Sequence, residues 1–111
     1  MKTITVPKNT EAERLLDLDQ CPPEQLEEII LSKEQFANLW SAGFFDDINK
    51  LCGSMIDDYE DEILPAKNSV PVVLAYIQTQ QWEPKVHDIV NEIKYLLIKA
   101  KEYGTSVHFY F

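Results

Sequence analysis

Long apolar runs are missing from this sequence. No stretch approaches the roughly 18 residues that a membrane-spanning helix needs; the longest runs only from Pro71 to Ile77. Glycine is scarce, with 3 residues in 111, and none of them belongs to a phosphate-cradling loop. The 2 cysteines, Cys21 and Cys52, are too few for a disulfide framework and lack the CxxC or Cys/His spacing of a metal site. Bases are outnumbered: 10 Lys and Arg stand against 19 Asp and Glu, a net charge of −9. That balance argues against nucleic acid as a ligand, because phosphates demand a basic face. It argues equally against anionic membrane surfaces. The opening segment Met1-Lys-Thr-Ile-Thr-Val-Pro7 is too short and too polar for a secretory signal, so the expected location is the cytoplasm. No repeat, low-complexity tract or interdomain linker interrupts the chain.

What is present is the composition of one folded domain. Apolar residues make up 45% and charged residues 26%, and a chain of this length can bury a core without staples. The expectation is a single α/β domain over residues 1–111. Lys2 to Val6 alternates and is β-branched, which reads as a strand. Thr10-Glu-Ala-Glu13 reads as a capping box opening a short helix to about Leu18. Pro23 suits the first turn of a helix from Glu24 to Ile30. Ser32-Lys-Glu-Gln35 is a second capping box, opening a helix with Phe36, Leu39 and Trp40 that Gly43 ends.

From Phe44 to Leu64, apolar residues at Phe44, Ile48, Leu51, Met55, Tyr59 and Ile63 recur in steps of three and four, the pattern of one amphipathic helix. Gly53 weakens it by roughly 1 kcal/mol relative to Ala, and Cys52 lies in its apolar stripe as a small hydrophobe. Cys21, before Pro22-Pro23, is a loop thiol. Val72 to Ile77 is apolar and β-branched between turn residues and reads as a buried central strand. Pro84 starts a helix whose inner face is Val86, Ile89, Val90, Ile93, Leu96, Leu97 and Ala100, and Gly104 caps it. Ser106 to Phe111 reads as a closing strand. Strands separated by helices imply crossovers, hence a small three-stranded parallel sheet with helices packed on it.

The charge is unevenly placed. Asp46, Asp47, Asp57, Asp58, Glu60, Asp61 and Glu62 crowd one segment whose one base is Lys50, whereas acids and bases balance from Glu83 onward. On a helix reaching Leu64, the later acids would sit at the unfavourable end of the dipole, and tolerance of that cost points to a use for the charge. A basic protein is the natural complement; a solvated face is the plain alternative. Catalytic signals are weak. No nucleophile is placed beside His87 or His108 by sequence spacing, paired carboxylates within an acidic run say little, and Asp57 to Glu62 lacks the pattern of a calcium loop. No enzyme activity, cofactor or metal is expected.

Three stretches resemble the barstar family of intracellular ribonuclease inhibitors. Val90-Asn-Glu-Ile-Lys-Tyr-Leu-Leu-Ile-Lys-Ala-Lys-Glu-Tyr-Gly104 followed by Thr-Ser-Val-His-Phe-Tyr-Phe111 is similar to the family's last helix and strand. Val70-Pro-Val-Val-Leu-Ala-Tyr76 is similar to its middle strand, and Phe44-Phe-Asp-Asp-Ile-Asn49 to the aromatic pair leading into its acidic helix. That helix plugs the nuclease active site with a Tyr, a Trp and two aspartates. Here the matching positions hold Asn49, Cys52 and Gly53, the family's acid on the last helix falls on Lys99, and residues 20–41 are an insertion. The resemblance implies an immunity protein that occludes the active site of a basic nuclease toxin, of the kind used in contact-dependent growth inhibition. Its partner-binding residues would be Phe44, Phe45, Asp46, Asp47, Asn49, Asp57, Asp58, Glu60 and Asp61. The alternative is an acidic adaptor or regulatory protein-binding subunit with no toxin partner.

Overall fold

The alternating β-branched start of the chain forms strand β1 (Lys2–Pro7) in the computed structural model, which describes every residue from Met1 to Phe111. Helix α1 (Thr10–Asp17) follows. Its N-cap is Asn9, not Thr10, and the Asn9 side chain accepts from the Ala12 N–H at 2.7 Å. A 3-10 turn at Pro23–Gln25 leads into β2 (Leu26–Leu31). The order continues with α2 (Lys33–Ser41), α3 (Phe44–Cys52), β3 (Asp61–Pro65), α4 (Val70–Thr79), α5 (Pro84–Tyr103) and β4 (Ser106–Tyr110). The capping box at Ser32 is formed as expected, with Ser32 and Gln35 exchanging hydrogen bonds.

The α/β class holds, but the three-stranded parallel sheet does not. Four strands lie in the order β2-β1-β4-β3, and every neighbouring pair is antiparallel. For two of the three connections the reason is parity; β1 and β2, joined through the single helix α1 and a 3-10 turn, are antiparallel neighbours that parity does not explain. The connections β2 to β3 and β3 to β4 each contain two helices. A helix pair that doubles back delivers the next strand reversed, whereas the crossover rule for parallel strands assumes a single return.

Three expected elements are corrected. The Glu24–Ile30 helix is the strand β2, paired along its whole length with β1 from Lys2↔Leu31 to Pro7↔Leu26. Its charged Glu27 and Glu28 suit an edge strand, where charge deters further pairing. The Val72–Ile77 strand is helix α4. Pro71 sits in its first turn, and the buried residues Val70, Val73, Leu74 and Ile77 fall at helical spacing. The Phe44–Leu64 helix stops at Cys52, because Gly53 takes the left-handed conformation (φ 63°) and caps it. The rest of that segment is an extended stretch, a turn and strand β3. Asp57, Asp58, Glu60, Asp61 and Glu62 therefore do not sit at a helix C-terminus, and the dipole penalty inferred for them does not exist.

One sheet face carries Ile4, Val6, Leu31, Leu64, Val107 and Phe109, all buried against the helices. The inner face of α5 supplies Val86, Ile89, Val90, Ile93, Leu96, Leu97 and Ala100, every one buried as its period requires. The left-handed Gly104 ends α5 and turns the chain into β4. The other sheet face is polar, bearing Thr3, Thr5, Ser106, His108 and Tyr110, with α1 laid across part of it. Leu96→Ala is expected to lower the unfolding free energy by roughly 2–5 kcal/mol, the range for large-to-small changes in a core. Urea unfolding measures this, and a loss below about 1 kcal/mol would mean that the face is not core.

Candidate functional site

An acidic cleft of about 410 Å³ opens where α3 meets the segment that follows it. Asp46 on α3, Asp57 and Glu60 on the turn, and Trp40 on α2 form its walls, with Met55 at its edge. No Lys or Arg lines it. The side chain of Asn49 builds the cleft. Its Nδ2 donates to the Ile56 carbonyl at 2.9 Å, and its Oδ1 accepts from the Ile56 N–H at 2.8 Å and the Ser54 hydroxyl at 2.8 Å. One carboxamide thus satisfies both backbone groups of a buried residue, as a paired strand would. Two further bonds fix the segment. The Glu62 carboxylate accepts from the N–H groups of Met55 and Ile63, at 2.7 and 2.9 Å.

The expected site residues divide into three groups. Asp46, Asp57, Glu60 and Asp61 are exposed and in no salt bridge, and the first three share the cleft. Asp47, Asp58 and Asn49 are committed internally. Asp47 accepts the Tyr76 hydroxyl at 2.6 Å. Burial, and then that hydrogen bond and the carboxylate charge, push the Tyr76 phenol above its ordinary range. Asp58 accepts from the Lys2 ammonium, which also donates to the Phe111 carbonyl at 3.2 Å. Phe44 and Phe45 are fully buried in the aromatic core, edge-on to one another at 5.4 Å and packed against Trp82 and Phe109. That burial removes both rings from any contact surface of the folded chain. They orient α3 from within. Trp40, Met55 and Tyr59 are not among the expected contacts: Trp40 falls in the apolar set of α2, and Met55 and Tyr59 fit the stripe of a helix that ends before both.

A second polar constellation lies on the other sheet face, beside a cavity of about 480 Å³ between α1 and β4. Strand alternation puts Ser106, His108 and Tyr110 on one face, a signal present in the sequence although spacing alone did not pair a nucleophile with His108. Ser106 Oγ lies 2.6 Å from Glu13 Oε2 and 2.8 Å from His108 Nε2. A carboxylate only accepts, so the single hydroxyl proton goes to Glu13 and His108 Nε2–H donates to Ser106. In that tautomer the imidazole turns no lone pair toward the hydroxyl. The trio is a fixed relay and not an activated serine. Burial holds the His108 pKa below its ordinary value, against the opposing pull of Glu13 and Asp17. Tyr110 is pushed up to about 12, first by burial and then by Asp61, Asp19, Asp17 and Glu28.

The half-buried Cys52 thiol is pushed upward by burial. No three His, Cys, Asp or Glu side chains converge as metal ligands, and no helix is long and apolar enough to cross a membrane. Comparison with protein-family models, with curated proteins and with solved structures finds no match to this chain.

Two outcomes follow from these geometries. Asn49→Ala orphans the Ile56 backbone groups and is expected to cost roughly 1–3 kcal/mol, with faster amide exchange at Ile56; unchanged exchange there would contradict the role given to Asn49. His108 is held neutral in the fold, so its contribution to stability is present above the unfolded pKa of about 6.5. That contribution is lost as pH falls from there through the lower folded value. Unfolding free energies measured from pH 7 to pH 5 should show this loss in the wild type and a shallower slope in His108→Gln. Parallel slopes would contradict it.

Proposed function

We propose that this chain is an immunity protein that binds a basic nuclease toxin and blocks it by placing carboxylates where substrate phosphates would lie. The observation that carries this reading is the cleft of Asp46, Asp57 and Glu60, which no cation lines, on a chain of net charge −9. Carboxylates with no internal cation beside them favour a cation from outside. Opposite charge also steers encounter, with association rates up to about 10⁸–10⁹ M⁻¹s⁻¹ at low salt, a speed suited to protection against a toxin. The resemblance to barstar-family inhibitors at Val90–Phe111 supports the same reading, since α5, Gly104 and β4 form the expected helix-cap-strand sequence. The contact surface differs from the one implied by that resemblance. It is the rim between α3 and the following turn, not the length of one acidic helix.

The test replaces Asp46, Asp57 and Glu60 together with Asn, Asn and Gln. All three are exposed, so the fold and its stability should be retained. Affinity for the purified product of the adjacent gene, titrated at low and at high salt, should fall by several kcal/mol if two or more of these acids meet cations, since each stranded cation costs about 2–5 kcal/mol. The salt dependence should flatten as well. Equal affinity and equal salt dependence in variant and wild type would remove the cleft from the interaction.

A further inference from the structure

We infer that the turn Asp57–Glu60 is a docking ridge, with Tyr59 at its tip between the acidic cleft and an apolar groove, and that it grips a basic protein offering a cationic side chain next to an apolar one. This rests on the proposed function and specifies which part of the surface holds the partner.

The apolar groove, about 390 Å³, lies on the far side of the turn, where Leu31, Phe36 and Tyr59 form the apolar walls and Lys2, Lys33 and Asp58 the charged rim. The two hollows flank one short turn, and both lean on α2, through Trp40 in the first and Phe36 in the second. Tyr59 is 90% exposed and Met55 77% exposed, so neither ring nor thioether contributes to the core. Tyr59 also holds a left-handed backbone, φ 63°, which Gly or Asn would adopt at lower cost. A large aromatic at such a position, 90% exposed and with the Lys2 ammonium 5.3 Å from its ring centre, gains little from folding. Tyr, Trp and Met are the side chains enriched where one protein grips another.

The ridge is held in place before any partner arrives. The Lys2 ammonium bonds to Asp58 and to the Phe111 carbonyl, and stands 4.5 Å from the Phe36 ring centre and 5.3 Å from that of Tyr59. The Glu60 carbonyl accepts the Phe111 N–H at 3.3 Å, and Asp57 Oδ1 accepts the Asp58 N–H at 2.8 Å. A surface already ordered loses little freedom on binding.

Charge complementarity fixes the occupant. Asp57 and Glu60 flank the ridge on its Trp40 side, so the side chain that enters there is a lysine or arginine, with the Trp40 ring available for a cation–π contact. On the Phe36 side the Lys2 charge is taken by Asp58 while the exposed Lys33 also lines the groove, so this side repels a second cation and suits an aliphatic or aromatic side chain from the same partner. Nucleic acid is the wrong sign for such a surface.

The test uses the full-length wild-type chain, Tyr59→Gly and Ile30→Ser, the last on the opposite sheet face. Proteins retained from a lysate by the immobilised wild type are identified, purified and titrated singly against all three. Tyr59→Gly should unfold at the same or a higher urea concentration, because glycine relieves the left-handed backbone. It should bind the basic partner roughly 30-fold or more weakly, the threshold of a hot-spot residue, while Ile30→Ser should stay within about twofold of wild type. A basic partner that binds Tyr59→Gly as tightly as wild type overturns the ridge and leaves the acidic cleft standing. A retained partner that is acidic or is a nucleic acid, or the failure of the wild type to retain any basic protein, overturns both.

Discussion

The bidentate hold of Asn49 on Ile56 is the constraint on which the acidic surface depends. Gly53 ends α3 by turning left-handed, and without a partner the chain beyond it would be a free loop. The Asn49 carboxamide supplies the donor and the acceptor that a neighbouring strand would otherwise give. Ile56 is thereby buried to 1% exposure, and the turn that follows is set against α2. Asp57 and Glu60 acquire fixed positions opposite Asp46 as a consequence. An asparagine that resembles a polar surface residue in the sequence is thus the pin between helix and sheet.

The acids in this region fall into two electrostatic classes. Asp47 and Asp58 are each given a donor from a distant part of the chain, Tyr76 and Lys2 respectively. Such part-buried pairs join elements that are remote in sequence: α3 to α4, and the turn to β1. Asp46, Asp57 and Glu60 receive no cation, although Lys50 lies on the same helix as Asp46. Carboxylates left in this way add self-repulsion to a chain already at −9, a cost that an incoming cation reverses. The distinction between acids with and without a donor from a distant part of the chain separates architecture from the proposed binding surface, and the linear sequence does not show it.

Much of the fold was legible where a single periodicity ran long enough. α5 announces itself through Pro84, seven inward residues and Gly104, and all seven are buried. β1, β4 and the capping box at Ser32 were equally plain. Short apolar runs were not. The β-branched Val72 to Ile77 favours a strand locally, yet Pro71 and the burial of Val73, Leu74 and Ile77 belong to a helix, so packing overrides propensity there. The three-and-four spacing continues through Met55, Tyr59 and Ile63 by coincidence, since these residues are exposed beyond the helix end. That coincidence hid the most telling side chains of the candidate surface. The aromatic pair Phe44-Phe45 misled in the opposite sense, because aromatic rings serve cores and interfaces alike.

The central claim is that a prebuilt acidic rim between α3 and β3 meets a basic partner. Amide hydrogen exchange of the free chain and of the same chain saturated with its purified partner tests it most directly. The account predicts that the Ile56 amide is already slow in the free chain, and that new protection on binding concentrates between Asp46 and Asp61 while α1 and the polar sheet face keep their free rates. New protection confined to α1 and that sheet face, with residues 46–61 unchanged, would contradict it.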